Sequence, residues 1–497
     1  MKARLMNITN DSPVVPLHAA AIHAPRASRS LRLLAVLLSA AVLGGCASFS
    51  PDGGFNAVQK TAQDRLGKQV QWARSDADLD IMAQRVNELL SKPLSVDDAV
   101  QVALLNNRGL QATFQELGIG EAELVQAGRL PNPGFSFGRM SRGDEREIER
   151  GLHYNVARLI AMPLIGQMEA RRFERTKSMV TMGVLSLASD TRKAYYNAVA
   201  AEESVRYMRQ VKQAAEASAE LARRMEQVGN FNKLQRAREQ VFHADASLNL
   251  ARAEQAQRAT RERFTRLLGA WGTQAQFALP ERLPDLPKHV VELPDIVRVA
   301  LTQRLDVQGA KLAAEQTARN LGLTRTTRWV NVLELGLVRN SSNEAPTQRG
   351  WEIGLELPLF DWGGARVARA QALYMQTLHL AAETAVNARS EVREAYTAYR
   401  SAHDIARFQR DEVVPLNQRI SEENLLRYNG MLIGVFELLA DARAQVASVN
   451  GAIQALRDFW IAQADLDMAL IGKPSLASSV GAAAGPAMAT EAAGAGH

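Results

Sequence analysis

A single cysteine, Cys46, in a chain of 497 residues excludes an internal disulfide and any cysteine-based metal cage. Beyond it no apolar run comes near the about 18 residues that a membrane-spanning helix requires. Charge of one sign is also missing. The formal net charge is +6, and the first 45 residues carry five Lys/Arg and one Asp, which leaves +2 for the rest. That balance excludes the basic footprint of a nucleic-acid binder. Enzymatic signatures are absent too, with no HExxH, phosphate loop or nucleophile elbow. Gly118-Ile119-Gly120 lacks the third glycine of a dinucleotide loop, and Asp76, Asp78 and Asp80 alternate without the glycine and distal glutamate of a calcium loop. No catalytic residue, cofactor or metal site is therefore expected.

What is present begins with an address. Arg26, Arg29 and Arg32 precede the apolar run Leu33 to Leu43, which ends in Leu43-Gly44-Gly45-Cys46. A basic region, a short apolar run and small residues make a secretory signal over 1–45, too short to span a bilayer. The long stretch before the basic region leaves Met6 as an alternative start. Leu-Gly-Gly-Cys resembles the lipobox of bacterial lipoproteins, in which cleavage before the cysteine lets its thiol carry lipid. Ala47, rather than an Asp, follows Cys46, so the expected destination is the outer membrane. An ordinary signal with an incidental cysteine is the alternative.

The body of the chain is written twice. Ala103-Leu104 with Leu110-Gln111 returns as Ala300-Leu301 with Val307-Gln308 at an offset of 197. Arg192-Lys193-Ala194-Tyr195 returns as Arg393-Glu394-Ala395-Tyr396 at 201, and Leu267-Leu268-Gly269 as Leu470-Ile471-Gly472 at 203. A duplicated unit of this length implies pseudo-symmetric building blocks, with any site made by their assembly. The expected divisions are the signal 1–45, an anchored segment 46–92, a first repeat 93–270, an equatorial linker 271–292, a second repeat 293–472 and a disordered Ala/Gly tail 473–497.

Breakers at 128–134, 141–151, 163–166, 229–232, 270–294, 340–350, 358–364 and 429–434 divide each repeat into helix, strand, strand, long helix and shorter helix. In the second long helix, Ala385, Ala388, Val392, Ala395, Tyr399, Ala402 and Ala406 step by three and four. Their counterparts 201 residues earlier, Val184, Leu187, Thr191, Ala194, Ala198, Ala201 and Val205, repeat the seam, a coiled-coil signature. About 60 residues make a rod of roughly 90 Å, and two half-length helices stacked end to end match one such rod. Pro415 is expected to kink the second rod.

The strands alternate. Trp351, Ile353, Leu355 and Leu357 interleave with Glu352, Gly354, Glu356 and Pro358; Leu333, Leu335 and Leu337 interleave with Val332, Glu334 and Gly336. Phe135 and Phe137, and Tyr154 and Val156, do the same in the first repeat. One face is thus apolar and the other polar. With no other sheet to cover the apolar face, lipid is its natural cover, with Trp329 and Trp351 near an interface. Glu334, Glu352 and Glu356 then face a lumen, with Arg139 and Arg158 to offset them. Four strands cannot close a barrel, and an open edge cannot exist in lipid. Several copies must pool their strands, and three copies would supply twelve.

These features resemble the TolC-type outer-membrane efflux protein family, more closely its lipid-anchored members, over roughly residues 93–472. The carrying residues are Ala103-Leu104-Leu105-Asn106-Asn107, Pro163-Leu164-Ile165 and Pro358-Leu359-Phe360 at the openings of the long helices, and the turns Val228-Gly229 and Tyr428-Asn429-Gly430, with Ala237-Arg238 and Ala442-Arg443 downstream. The resemblance implies a mixed α/β membrane protein: a homotrimer with a transmembrane antiparallel β-barrel, continued by a long α-helical coiled-coil barrel in the periplasm. It implies a periplasmic adaptor (membrane fusion) protein and an inner-membrane pump as partners, outer-membrane lipid as surroundings, no nucleic acid and no cofactor. The tips Val228, Gly229, Asn230, Asn429, Gly430 and Met431 would receive the adaptor.

Glu437 and Asp441 are four apart and share one helix face after the second turn. Three copies would place six carboxylates in a narrow mouth, a cation-favouring periplasmic gate. The family's acidic residues near this point sit about one residue away, and the pair reads equally well as two solvated surface acids. Three functions stand: an efflux exit duct, the outer channel of a type I protein secretion system, and a periplasmic coiled-coil scaffold lipoprotein. The hairpins separate the last from the others. A duct turns Leu355 and Leu357 to lipid, whereas a scaffold buries them against its own helices.

Overall fold

The computed structural model describes residues 48–328, 333–356 and 359–473. The signal, Cys46, Trp329, Leu357, Pro358 and the tail beyond Lys473 lie outside them. The described chain is mostly helical with one small antiparallel sheet. No described helix is long and apolar enough to cross a membrane.

Two short helices come first, α1 (Phe55–Leu66) and α2 (Asp76–Leu90). Asp78 closes a capping box with Ser75 at the start of α2, a helix-start role for the acidic triplet. Phe55, Val58, Ala62 and Val70 bury themselves beside Leu110, Phe114, Leu117 and Phe173. The N-terminal segment is therefore part of the helical body.

The first repeat runs α3 (Val96–Asn106), α4 (Arg108–Ala127), β1 (Gly134–Arg142), β2 (Glu145–Asn155), α5 (Val156–Gln227) and α6 (Lys233–Leu268). The second runs α7 (Ile296–Gln303), α8 (Leu305–Thr327), β3 (Leu333–Ser342), β4 (Gln348–Leu355), α9 (Gly364–Phe408), a π turn (Gln409–Val413), α10 (Val414–Asn429) and α11 (Val435–Ile471). All fourteen seam positions named from the sequence are buried or half-buried.

Three features differ from expectation. The first long helix opens at Val156, not at Pro163, because the Asn155 side chain accepts a 2.8 Å hydrogen bond from the Arg158 backbone and starts the helix early. Val156 is consequently helical, and α5 extends over 72 residues, about 108 Å. Pro415 lies in the first turn of α10, directly after the π turn. The wider π turn takes up the disturbance of a residue without an N–H. Each opening helix is also split by a single extended residue, Asn107 in the first repeat and Arg304 in the second.

Those two breaks are where the half-length helices meet. The Asn107 side chain donates to the Leu267 carbonyl at 3.0 Å, and Asn106 donates to Gly269 at 2.9 Å, so the end of α6 abuts the α3/α4 junction. Gly269 has φ 65°, and a Cβ there would lie 2.7 Å from the Asn106 carbonyl oxygen, so only glycine fits this close approach. In the second repeat Arg304 performs the same joining. It is 1% exposed and reaches Asp306 at 2.7 Å, Glu391 at 2.6 Å and the Ala469 carbonyl at 3.3 Å. Burial opposes its charge, but the bonds to Asp306 and Glu391 outweigh that, and its pKa is raised.

The linker straps the repeats together at this height. His403 bonds the Pro287 carbonyl at 3.0 Å, and Trp460 donates to Pro284 at 3.0 Å. Leu94 donates its N–H to Ala278 at 2.9 Å. Phe277 and Leu283 enter one core cluster and Leu286 another.

Arg304→Ala strands two carboxylates and a carbonyl beside a cavity. It is expected to destabilise the folded chain by about 3–5 kcal/mol, as loss of one partner of a buried ion pair does. A thermal melt indistinguishable from that of the parent would contradict this account.

Candidate functional site

The four strands form one sheet in the order β1-β2-β3-β4, and β2 pairs with β3 across the two repeats. Because side chains alternate, the register assigns each residue to a face. Along one face run Leu333 and Leu355; then Tyr154, Leu335 and Ile353; then Phe135, Leu152, Leu337 and Trp351. Most of these large side chains stand open, Trp351 at 70%, while Tyr154 and Leu333 are half-buried. Leu355 is also exposed and not covered by the chain's own helices. The strands β1 and β4 are the edges, each paired on one side only.

The opposite face is acidic. Glu145, Glu147, Glu149, Glu334 and Glu352, every acid in the four strands, share its parity. Of the residues expected in a lumen, Glu334 and Glu352 lie on this face, while Glu356 falls one residue beyond the end of β4. Arg139 does not offset them. It is opposite Ile148, on the apolar side, because its odd position in β1 follows Phe135 and Phe137. Arg158 is in α5.

The sequence reading passed over His153, which joins three strands on the acidic face. Its Nε2 is 2.8 Å from Ser136 Oγ, and its Nδ1 is 2.9 Å from Glu352 Oε1. Gly336 clears the way, since a Cβ there would stand 2.6 Å from Glu352 Cγ. The signal available in the sequence was His153's place in the alternation of β2. Among the described residues no group of three or more His, Cys, Asp or Glu side chains is placed to hold a metal.

The far ends of the long helices carry the other candidates. After α5 the chain turns through Val228, Gly229 and Asn230, with Gly229 at φ 81°. After α10 it turns through Asn429, Gly430 and Met431. Here the left-handed residue is Met431, at φ 60° and 93% exposed, while Gly430 keeps a negative φ. The conformational counterpart of Gly229 is therefore one residue later than the sequence offset suggested. Near the first turn, Arg223 and then Arg224 hydrogen-bond Glu220 and hold its carboxyl down to about 2.

Glu437 and Asp441 share one side of α11 but have different surroundings. Glu437 is exposed. Asp441 is half-buried and accepts a hydrogen bond from Asn424 of α10. Across the two hairpins, Arg443 of α11 lies 4.0 Å from Asp245 of α6.

No protein-family model matches the chain. It is 25% identical over 280 residues to the cobalt-zinc-cadmium resistance protein CzcC of Cupriavidus metallidurans, a match covering 54% of this chain and 64% of that relative's length. Among solved structures, it is similar to the Campylobacter jejuni CmeC outer membrane channel, with a TM-score of 0.67 and 16% identity over 81% of this chain and 89% of that one. It is also similar to the open state of the Neisseria gonorrhoeae MtrE outer membrane channel, with a TM-score of 0.63 and 18% identity over 76% and 89%. The chain has the fold of the TolC-type outer-membrane channels, as the resemblance in its sequence implied.

If lipid covers the apolar face, Leu335→Arg in its middle row is expected to cost about 2–4 kcal/mol of membrane assembly. The yield of membrane-inserted protein reads this directly, and an undiminished yield would place the face elsewhere.

Proposed function

We propose that this protein is the outer-membrane exit duct of a tripartite efflux system. It passively conducts cargo handed on by a periplasmic adaptor and an inner-membrane pump, with no catalytic step of its own. The observation that carries this reading is the sheet: an exposed apolar face, an acidic opposite face and two unpaired edges on one short, isolated element. A scaffold lipoprotein would bury the apolar face, and a single copy in lipid would leave both edges unsatisfied. Three copies joined edge to edge would make a barrel of twelve strands, within the range of known outer-membrane barrels. Val386, Ile405, Phe408 and Leu416, exposed along the second long rod, supply further surface for the neighbouring copies.

In this arrangement the helices form a periplasmic tunnel, and the turns at Val228–Asn230 and Asn429–Met431 form its tip, where the adaptor docks. Cys46 carries lipid after removal of 1–45. Glu437 gates the mouth, with Asp441 held beside it by Asn424. The name of the Cupriavidus relative ties that protein to cobalt, zinc and cadmium. Small divalent cations are the cargo class that this similarity and the acidic face support here.

Single-channel recording of the detergent-extracted protein, with its mass determined in parallel, tests the proposal. A trimer with small cation-selective openings is expected, and Glu437→Ala with Asp441→Ala is expected to raise the conductance. A monomer that stays in solution without detergent and forms no channel would reject the duct.

A further inference from the structure

Every strand carboxylate lies on one face of the sheet and five of the six strand arginines on the other. Arg139, Arg146, Arg150, Arg339 and Arg349 all lie on the apolar side of the sheet, where the strands contain no acid. They form no ion pair or side-chain hydrogen bond among the described residues. Three of them stand directly opposite one another: Arg150 pairs with Arg339, and Arg339 with Arg349. Like charges opposed across strands destabilise a sheet. Here the repulsion runs over three consecutive strands, and every carboxylate within the strands lies on the other face.

Their height is equally specific. The arginine row is the next one beyond Phe135, Leu152, Leu337 and Trp351, on the side of the turns joining β1 to β2 and β3 to β4. The strand ends that lead into the helices are at the opposite side of the apolar band. The row therefore marks the limit of the band farthest from the helical body, where an amphipathic Trp351 gives way to charge.

We propose that Arg150, Arg339 and Arg349, supported by Arg139 and Arg146, form a binding site for the phosphate groups of an anionic lipid in the leaflet farthest from the helices. The inference rests on the duct reading in one respect, that lipid covers this face. Guanidinium groups present paired N–H donors that match phosphate oxygens, and a phosphate held between two of them removes the repulsion that the bare row suffers. The charge and the apolar band below it act on one molecule, with the headgroup on the row and the acyl chains on Leu337 and Trp351. A soluble anion would meet only the charges. Each arginine near a lipid surface contributes about a factor of five in affinity, so the row of three contributes on the order of 100-fold.

The test uses the detergent-extracted full chain and native mass spectrometry with three probes: diphosphoryl lipid A, phosphatidylcholine and inorganic phosphate. Lipid A is expected to stay bound and the other two to be lost, and binding is expected to fall steeply in the triple variant Arg150→Gln, Arg339→Gln and Arg349→Gln. Arg142→Gln, on the acidic face, should bind as the parent does. Equal lipid A binding by the triple variant and the parent overturns the proposal, as does retention of inorganic phosphate as firm as that of lipid A. Conductance of the same preparations is read separately. Normal channels without lipid selectivity reject the site and leave the duct, whereas selective lipid binding without channels rejects the duct and leaves the site. If the triple variant does not assemble, single Arg339→Gln, at the centre of the row, provides the comparison.

Discussion

In the duct we propose, backbone pairing in a medium without water is the constraint on which the molecule is organised. A four-stranded sheet with an apolar face exposes N–H and C=O groups along β1 and β4, and hydrocarbon offers them no partner. In the proposed assembly further copies of the chain would relieve this, since a closed barrel has no edge. The rest of the chain can be understood as the means of holding such a sheet at a fixed distance from two turns. Helices about 108 Å and 54 Å long, α5 and α6, meet around Gly229; at their other ends α5 begins at the sheet and α6 ends at the α3/α4 break.

Holding long rods in register requires fixed points, and the duplicated chain finds two different ones. In the first repeat Asn106 and Asn107 bind the end of α6 through neutral amide bonds. In the second, the equivalent break holds a buried guanidinium that reaches three elements at once. Both replace the backbone bonds lost where a helix ends inside a core. Their common geometry with unlike chemistry indicates that the break itself is the structural requirement. The π turn before Pro415 is comparable, a local irregularity that lets a rod continue.

Much of the architecture was legible because it is periodic. The seam from Val184 to Val205, and its copy from Ala385 to Ala406, identified buried positions without knowledge of their partners, since spacing alone decides which side of a helix they share. Strand alternation likewise separated Leu335 from Glu334. Two misplacements share a cause. Asn155 starts α5 ahead of Pro163, and Met431 rather than Gly430 takes the left-handed conformation; each depends on a boundary, which propensity locates only to within a few residues. Arg139 differs, since its alternation with Phe135 and Phe137 already set its face in the sequence.

By itself the sequence determined a duplicated, helix-rich chain with two amphipathic hairpins and no enzymatic signature, because composition, period and repetition are one-dimensional properties. Only the tertiary structure decided that β2 joins β3, and so that the acids of both repeats share one face while five arginines share the other. It alone decided that His153 spans Ser136 and Glu352, and that Asp441 turns to Asn424. These contacts join residues on different elements, up to about two hundred positions apart, and they exist only once register and packing have brought those elements together.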